Sequence, residues 1–319
     1  MSAGQRFIRT LIVVVLDVVS AAAALIPWRL GVAIGGTIGR VAWYALPSTR
    51  RTALDNLAMA FPDLSEQERA RIGRASLANL GRAAMELLML WRRPGTPVER
   101  WCAFDDEDRL RDALAPGRGA IFVTGHTGNW ELLAAVVARR GYPLSVVATP
   151  VYDDRIDQRL VGARAVHGIE TIRRGSAAAG RQLLSALRRN AVLGMLIDQD
   201  TDVDGVFVPF FGRLAYTPAG AAALALRTDA RVVCGFLVRE GASRHRVVLE
   251  GPIDLVRTGE TDQDVLENTR RFTDLIERHN RTYPDQWIWF HRRWKRRPKS
   301  ATTHGAVASP EPPVEPASP

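Results

Sequence analysis

Residues 120–131 read Ala120-Ile-Phe-Val-Thr-Gly-His-Thr-Gly-Asn-Trp-Glu131. The uncharged run Ala120–Thr124 predicts a fully buried strand. Gly125 and Gly128 predict a tight turn, and a helical pattern runs from Trp130 to Arg140. A buried strand that turns directly into a helix is the repeating unit of an α/β fold. It places His126 at the carboxyl edge of the sheet, where open α/β folds bind ligands. Glu131 falls in the first helical turn, so a chain doubling back at Gly128 is expected to bring its carboxylate onto the imidazole. Such a carboxylate fixes one ring nitrogen as N–H and leaves the other to take a proton from an alcohol, the division of labour of a serine-hydrolase triad without a protein nucleophile. Amides at the helix start are candidate donors to the resulting oxyanion. The plainer reading is structural: a histidine before a helix is also a cap or a core residue, Asn129 is also a helix cap, and Trp130 also simply packs.

Working outward, the alternation continues. Strands are expected at Leu144–Ala148, Glu170–Ile172 and Val192–Ile197, with helices between them ending near Val161 and Arg188. Thr217-Pro218 reads as an N-cap and N1 proline of a helix reaching Thr228, before strands at Val232–Val238 and Arg246–Leu249 and a last helix from about Gln263 to Asn280. Upstream, Ser65-Glu-Gln-Glu68 forms a capping box that opens a long amphipathic helix toward Trp91. The expected fold class is therefore α/β, with a mixed, largely parallel sheet flanked by helices.

The chain has 319 residues, 46% of them hydrophobic, and a net charge of +9. This excludes wholesale disorder and implies an anionic partner, with lipid head groups, phosphorylated substrates, acidic carrier proteins and nucleic acid all qualifying. Cys102 and Cys234 lack metal-ligand spacing and read as core thiols. Leu11–Ile26 is almost uniformly apolar and Leu30–Leu46 follows it, with no cleavage site of a secretory signal between them. Either run is marginal against the roughly 20 residues needed to cross a bilayer, so a tilted span, a shallow hairpin and an interfacial helix are all open. The expected organisation is an N-terminal membrane-anchoring helical segment over residues 1–46, a catalytic domain over 47–298 and a disordered proline-rich tail over 299–319.

Further motifs lie along the chain in a fixed order. They are RRTALDNLAMAFPDLSEQER from Arg50, Ile197-Asp-Gln-Asp200, Val208-Pro-Phe-Phe-Gly212, Thr217-Pro-Ala-Gly220 and YPDQWIWFHRRWKRRP from Tyr283. Together with GHTGNWE they resemble the late acyltransferases of lipid A biosynthesis and their relatives, the phosphatidylinositol mannoside acyltransferases, over residues from about 27 to 298. Within that resemblance His126 and Glu131 match the H-x4-[DE] motif of glycerolipid acyltransferases in its Glu-bearing form.

The resemblance implies a glycerolipid-acyltransferase-like fold and transfer of a fatty acyl chain from an acyl carrier protein or coenzyme A thioester. The acceptor it implies is a hydroxyl of an anionic glycolipid, a lipid A precursor or else a phosphatidylinositol mannoside. It also implies work at the cytoplasmic face of the inner membrane, without metal or redox cofactor and without nucleic acid as partner. It makes His126 the base, Glu131 its orienting partner and Arg174 the phosphate or head-group contact, with Arg173 as competitor for that last role. Asp198 and Asp200 position an arginine or the acceptor sugar, or form a structural ion pair. Asn129 is a further candidate substrate contact. Phe210 and Phe211 either line a lipid groove or sit in the core, and the three tryptophans among basic residues after Asp285 suit a bilayer interface.

Overall fold

The computed structural model describes residues 3–151 and 153–298, with side chains from residue 10 onward. The tail expected to be disordered lies outside the described residues. Four helices come first: α1 (Ala3–Ala23), α2 (Trp28–Ala45), α3 (Pro47–Ala60) and α4 (Glu66–Arg92). Ser65 caps α4 with the reciprocal Glu68 contact that the sequence predicts. α2 lies so close along α4 that a Cβ at Gly35 or Gly39 would collide with the α4 backbone at Gly81 or Leu77. The opposite side is apolar and open: Leu11, Ile12, Val15 and Val18 of α1 and Leu30, Ile38 and Val41 of α2 are exposed. No helix among the described residues is long and apolar enough to cross a membrane.

The α/β core follows as β1 (Cys102–Phe104), α5 (Glu107–Leu114), β2 (Ala120–Thr124), α6 (Trp130–Arg139), β3 (Leu144–Ala148), α7 (Asp154–Ala165), β4 (Ile169–Arg173), α8 (Ala179–Arg188) and β5 (Val192–Leu196). Next come β6 (Gly205–Phe210), β7 (Arg213–Pro218), α9 (Gly220–Thr228), β8 (Arg231–Arg239), β9 (His245–Ile253) and α10 (Thr261–Thr282). One sheet has the order β1-β9-β8-β2-β5-β3-β4. Strands β8, β2, β5, β3 and β4 are parallel, while β9 is antiparallel to β8 and parallel to β1. The expected α/β class with a largely parallel sheet is thus what the chain forms.

β2 is central and every one of its residues is buried, which is why it reads as an unbroken apolar run. Its alternate side chains serve two cores. Ile121 and Val123 join residues of α8, α9 and α10, whereas Ala120 and Phe122 join residues of α5 and α6. Burying a side chain such as Phe122 contributes roughly 1.5–3 kcal/mol, and truncation to Ala there would open the second core at its centre.

One local expectation fails. Thr217-Pro218 does not start a helix; it ends β7, and α9 begins at Gly220 with Ala219 as its cap. The preceding stretch forms a β6–β7 hairpin whose two-residue loop, Phe211 and Gly212, has positive φ at both positions (52° and 71°). Phe at the first of these masks the usual Asn-Gly signal. It is held there by its ring, packed edge-on against Phe61, Phe210 and Trp289, and by Glu277, which accepts from its amide at 2.5 Å. Phe210 and Phe211 are core residues.

Candidate active site

β2 and β5 are adjacent and in register, with Thr124 opposite Leu196. His126 and Asp198 each lie two residues beyond that pair, so the sheet itself delivers them to the same place at its carboxyl edge. The imidazole Nδ1 is 2.7 Å from Asp198 Oδ1, and the His126 amide donates to Asp198 Oδ2 at 2.6 Å. The Trp287 indole N–H donates to the same Oδ2 at 2.8 Å. Asp198 is fully buried in its side chain, whereas His126 keeps 22% exposure. Burial alone would raise the Asp198 pKa, but the imidazole and the hydrogen bonds from His126 and Trp287 outweigh it and bring it down to about 2.

Glu131 does not reach the histidine. The turn at Gly128 (φ 61°) packs against the Leu237 carbonyl, where a Cβ would collide, and carries the chain into α6 with Glu131 pointing along the cleft wall. There its carboxylate takes both arms of Arg164 on α7, at 2.5 and 2.9 Å. The expected orienting contact therefore comes from Asp198, across the sheet, rather than from the next helical turn. Trp130 packs edge-on to the imidazole, ring centroids 4.9 Å apart.

Asn129 is buried and spent on structure. Its side chain accepts from the Leu132 amide at 3.0 Å and donates to Glu86 at 2.9 Å, so it caps α6 and does not line the cleft. Asp200 pairs with Arg296 at 3.2 Å, accepts from the Arg296 amide, and its own amide donates to His291 Nε2 at 3.1 Å; it does not line the cleft. Arg173 is engaged by Asp157 at 2.8 Å, which leaves the cleft to Arg174. The Arg174 guanidinium, its pKa lowered by burial, donates to the Thr201 hydroxyl at 3.3 Å. His126, Trp130, Glu131, Arg164, Arg174 and Thr201 all line one cleft of about 240 Å³.

The part least visible beforehand is the segment after Tyr283. It runs through the site as a strap: the Gly128 amide donates to Gln286 O, the Ile288 amide donates to His126 O, and the Ser76 hydroxyl donates to Trp287 O. Trp287 and Trp289 are fully buried and Trp294 is half-buried against the same core, so the three tryptophans do not form the bilayer-facing surface their composition suggests; Arg293 among them is fully buried too. The density of Trp in that motif was the available signal, because a tryptophan N–H that is buried needs an acceptor. Neither cysteine lines the cleft. Both cysteines are buried, and burial with the nearby Glu86 charge pushes Cys102 up to about 12.

A mostly parallel sheet with a cleft at its carboxyl edge, holding a histidine on a buried carboxylate, defines an α/β enzyme with acid–base capability. Comparison with known proteins gives the class. The model of the bacterial lipid A biosynthesis acyltransferase family matches residues 3–296, and the chain belongs to that family of acyltransferases. It is 26% identical over 276 residues, 86% of this chain and 87% of the relative, to the lipid A biosynthesis palmitoleoyltransferase of Escherichia coli (strain K12). To the lipid A biosynthesis lauroyltransferase of the same organism it is 25% identical over 287 residues, 86% of this chain and 88% of that protein. To the phosphatidylinositol mannoside acyltransferase of Mycolicibacterium smegmatis it is 29% identical over 227 residues, covering 69% and 71%.

Proposed function

We propose that the protein transfers a fatty acyl chain from an acyl thioester, of acyl carrier protein or coenzyme A, to a hydroxyl of a lipid A precursor. The observation that carries this reading is the 2.7 Å contact between His126 Nδ1 and buried Asp198, opening onto a cleft. With Nδ1–H donating to Asp198, Nε2 is the acceptor for the hydroxyl proton. The freed oxygen attacks the thioester carbonyl, a C–O bond forms, the C–S bond breaks, and the imidazolium returns its proton to the departing sulfur. Asp198 stays ionised and stabilises the imidazolium. No covalent protein intermediate is needed, in keeping with two buried, undissociated thiols.

Arg174 is the candidate contact for an acceptor phosphate or the donor's diphosphate, because Arg173 is already committed to Asp157. The Glu131–Arg164 pair lines the same cleft. In this reading no metal or redox cofactor takes part and nucleic acid is not a partner. The apolar outer face of α1 and α2 rests on the cytoplasmic leaflet of the inner membrane, which presents the lipid acceptor to the cleft.

A second reading keeps the chemistry and changes the acceptor to a phosphatidylinositol mannoside; the 29% identity to the mycobacterial relative favours it. Purified protein incubated with labelled acyl thioester and each acceptor separates the two. Wild type is expected to acylate the lipid A precursor and His126→Ala to lose turnover by about 10²–10⁴-fold. Full activity in His126→Ala would end the reading.

A further inference from the structure

Apart from the cleft, a cavity of about 530 Å³ lies between α2, α4 and the turn that joins β8 to β9. Thr37 and Arg40 line it from α2, Asn79 and Arg82 from α4, Arg239 from β8, and Asp285 from the strap. It shares no lining residue with the His126 cleft. Arg82 is half-buried, and its one side-chain hydrogen bond among the described residues goes to Asn79 Oδ1 at 2.6 Å. It lies across Gly36, where a Cβ would meet its Nε at 2.8 Å.

The carboxylates nearby are mostly taken. Glu86 is fully buried and bidentate to Arg239, at 2.6 and 2.9 Å, and Glu240 holds Arg246 at 2.6 Å. Asp285 accepts from Asn79 at 3.3 Å and is the carboxylate left to face Arg82. Burial and the like charges of Arg239 and Arg40 therefore push the Arg82 pKa down, against Glu86 and Asp285. Arg82, half-buried beside two like charges and without an ion pair among the described residues, is therefore the guanidinium a bound anion stabilises most, with exposed Arg40 beside it at the cavity. Planar guanidiniums fit phosphate oxygens especially well.

The same helix says where such a phosphate comes from. Leu30, Ile38 and Val41 are exposed on α2, next to the residues that line the cavity. Exposed aliphatic side chains beside an arginine pocket match the layering of acyl chains beneath a head group. We infer that Arg40 and Arg82 form a binding site for the phosphate of an anionic lipid head group, separate from the catalytic cleft and independent of the chemistry assigned to it.

The test is co-sedimentation of the full chain with phosphatidylcholine vesicles, with and without phosphatidylglycerol. Arg40→Gln/Arg82→Gln is expected to weaken binding to the anionic vesicles roughly thirtyfold and to leave the zwitterionic ones unchanged, as for two charges removed at a lipid surface. Arg181→Gln/Arg188→Gln removes the same charge from the exposed side of α8 and is expected to change binding less than about threefold. Thr37→Asp, at an exposed helix position, places a carboxylate at the cavity mouth and should reproduce the loss with both arginines intact. A melting-temperature rise with inorganic phosphate in wild type, absent in the Arg40/Arg82 variant, would support the phosphate site through free phosphate esters. That result with no vesicle effect would overturn the lipid assignment. Equal behaviour of the two double variants in both assays would overturn the site altogether.

Discussion

The two sides of the site each hold one carboxylate, Asp198 buried behind His126 and Glu131 lining the cleft, and they are built differently. Asp198 stands 72 residues from His126 in sequence and touches it twice, while Glu131 stands five residues away and touches Arg164 instead. The Asp198 side is framed by sheet register and closed by the strap. The Glu131 side is framed by two helices, α6 and α7, joined through one bidentate ion pair. Chain proximity thus predicted the wrong partner, because a helix beginning at Trp130 carries Glu131 around its axis, whereas parallel strands ending side by side carry Asp198 straight to the imidazole.

Asp198→Asn should have the largest effect. It keeps the shape but offers the imidazole an amide that is free to choose the wrong tautomer, so turnover is expected to fall by about 10³–10⁴-fold with little change in KM. A loss confined to KM would move Asp198 out of the chemistry. Glu131→Ala should act through the fold. It leaves the Arg164 guanidinium uncompensated in a mostly buried setting, at a cost of roughly 3–5 kcal/mol, and Glu131→Leu/Arg164→Met should recover most of it in denaturant unfolding. An unchanged midpoint in Glu131→Ala would remove the distinction between the two sides.

Trp287→Phe keeps the buried ring and deletes the N–H that holds Asp198. A lost hydrogen bond to a charged group is worth about 1.5–3 kcal/mol, so kcat should drop roughly tenfold to a hundredfold in steady-state assays. Arg174→Gln should raise KM for a phosphorylated substrate about tenfold and leave kcat nearly intact, as expected of a charge-assisted contact made equally in ground and transition states.

Acid titration separates the site from the scaffold. The carboxyl of Asp198 is depressed from 3.8 to about 2, so its contribution to stability is fully present above about pH 4 and is lost only as the pH falls toward 2. His245, although 3.5 Å from Glu86, and His279 shift the other way from Asp198 in their effect on stability: burial outweighs the carboxylate beside His245 and lowers the two pKa values to about 4 and about 3. The unfolded chain then binds more protons below about pH 6.5, and stability declines as the pH falls through that value. The loss should reach about 2.5 kcal/mol for the two together between pH 7 and pH 5.5, read from urea unfolding. A flat stability profile between pH 7 and 5.5 would contradict their neutral burial.

Much of the core was legible in advance for a physical reason. β2 and β3 are short buried strands whose boundaries are marked by glycine, proline and helix caps, and they form at the residues their patterns predict. The capping box at Ser65 is equally local. What stayed hidden depends on long-range contact. The hairpin turn at Phe211 needs edge-on ring contacts from Phe61, at the end of α3, and from Trp289 of the strap to hold its positive φ. The Trp287 contact joins segments 89 residues apart, and Asn129 is drawn from the cleft by Glu86 of α4. His126 itself was found from its strand-turn-helix setting, but no local pattern could choose its partner.

The most direct test is the nitrogen NMR spectrum of the His126 ring in wild type, Glu131→Gln and Asp198→Asn. The neutral imidazole is expected to carry its proton on Nδ1 in wild type and in Glu131→Gln, and to lose that fixed tautomer in Asp198→Asn. A tautomer that changes in Glu131→Gln and survives in Asp198→Asn would contradict the assignment of Asp198 as the residue that holds the His126 ring, and with it the proposed chemistry.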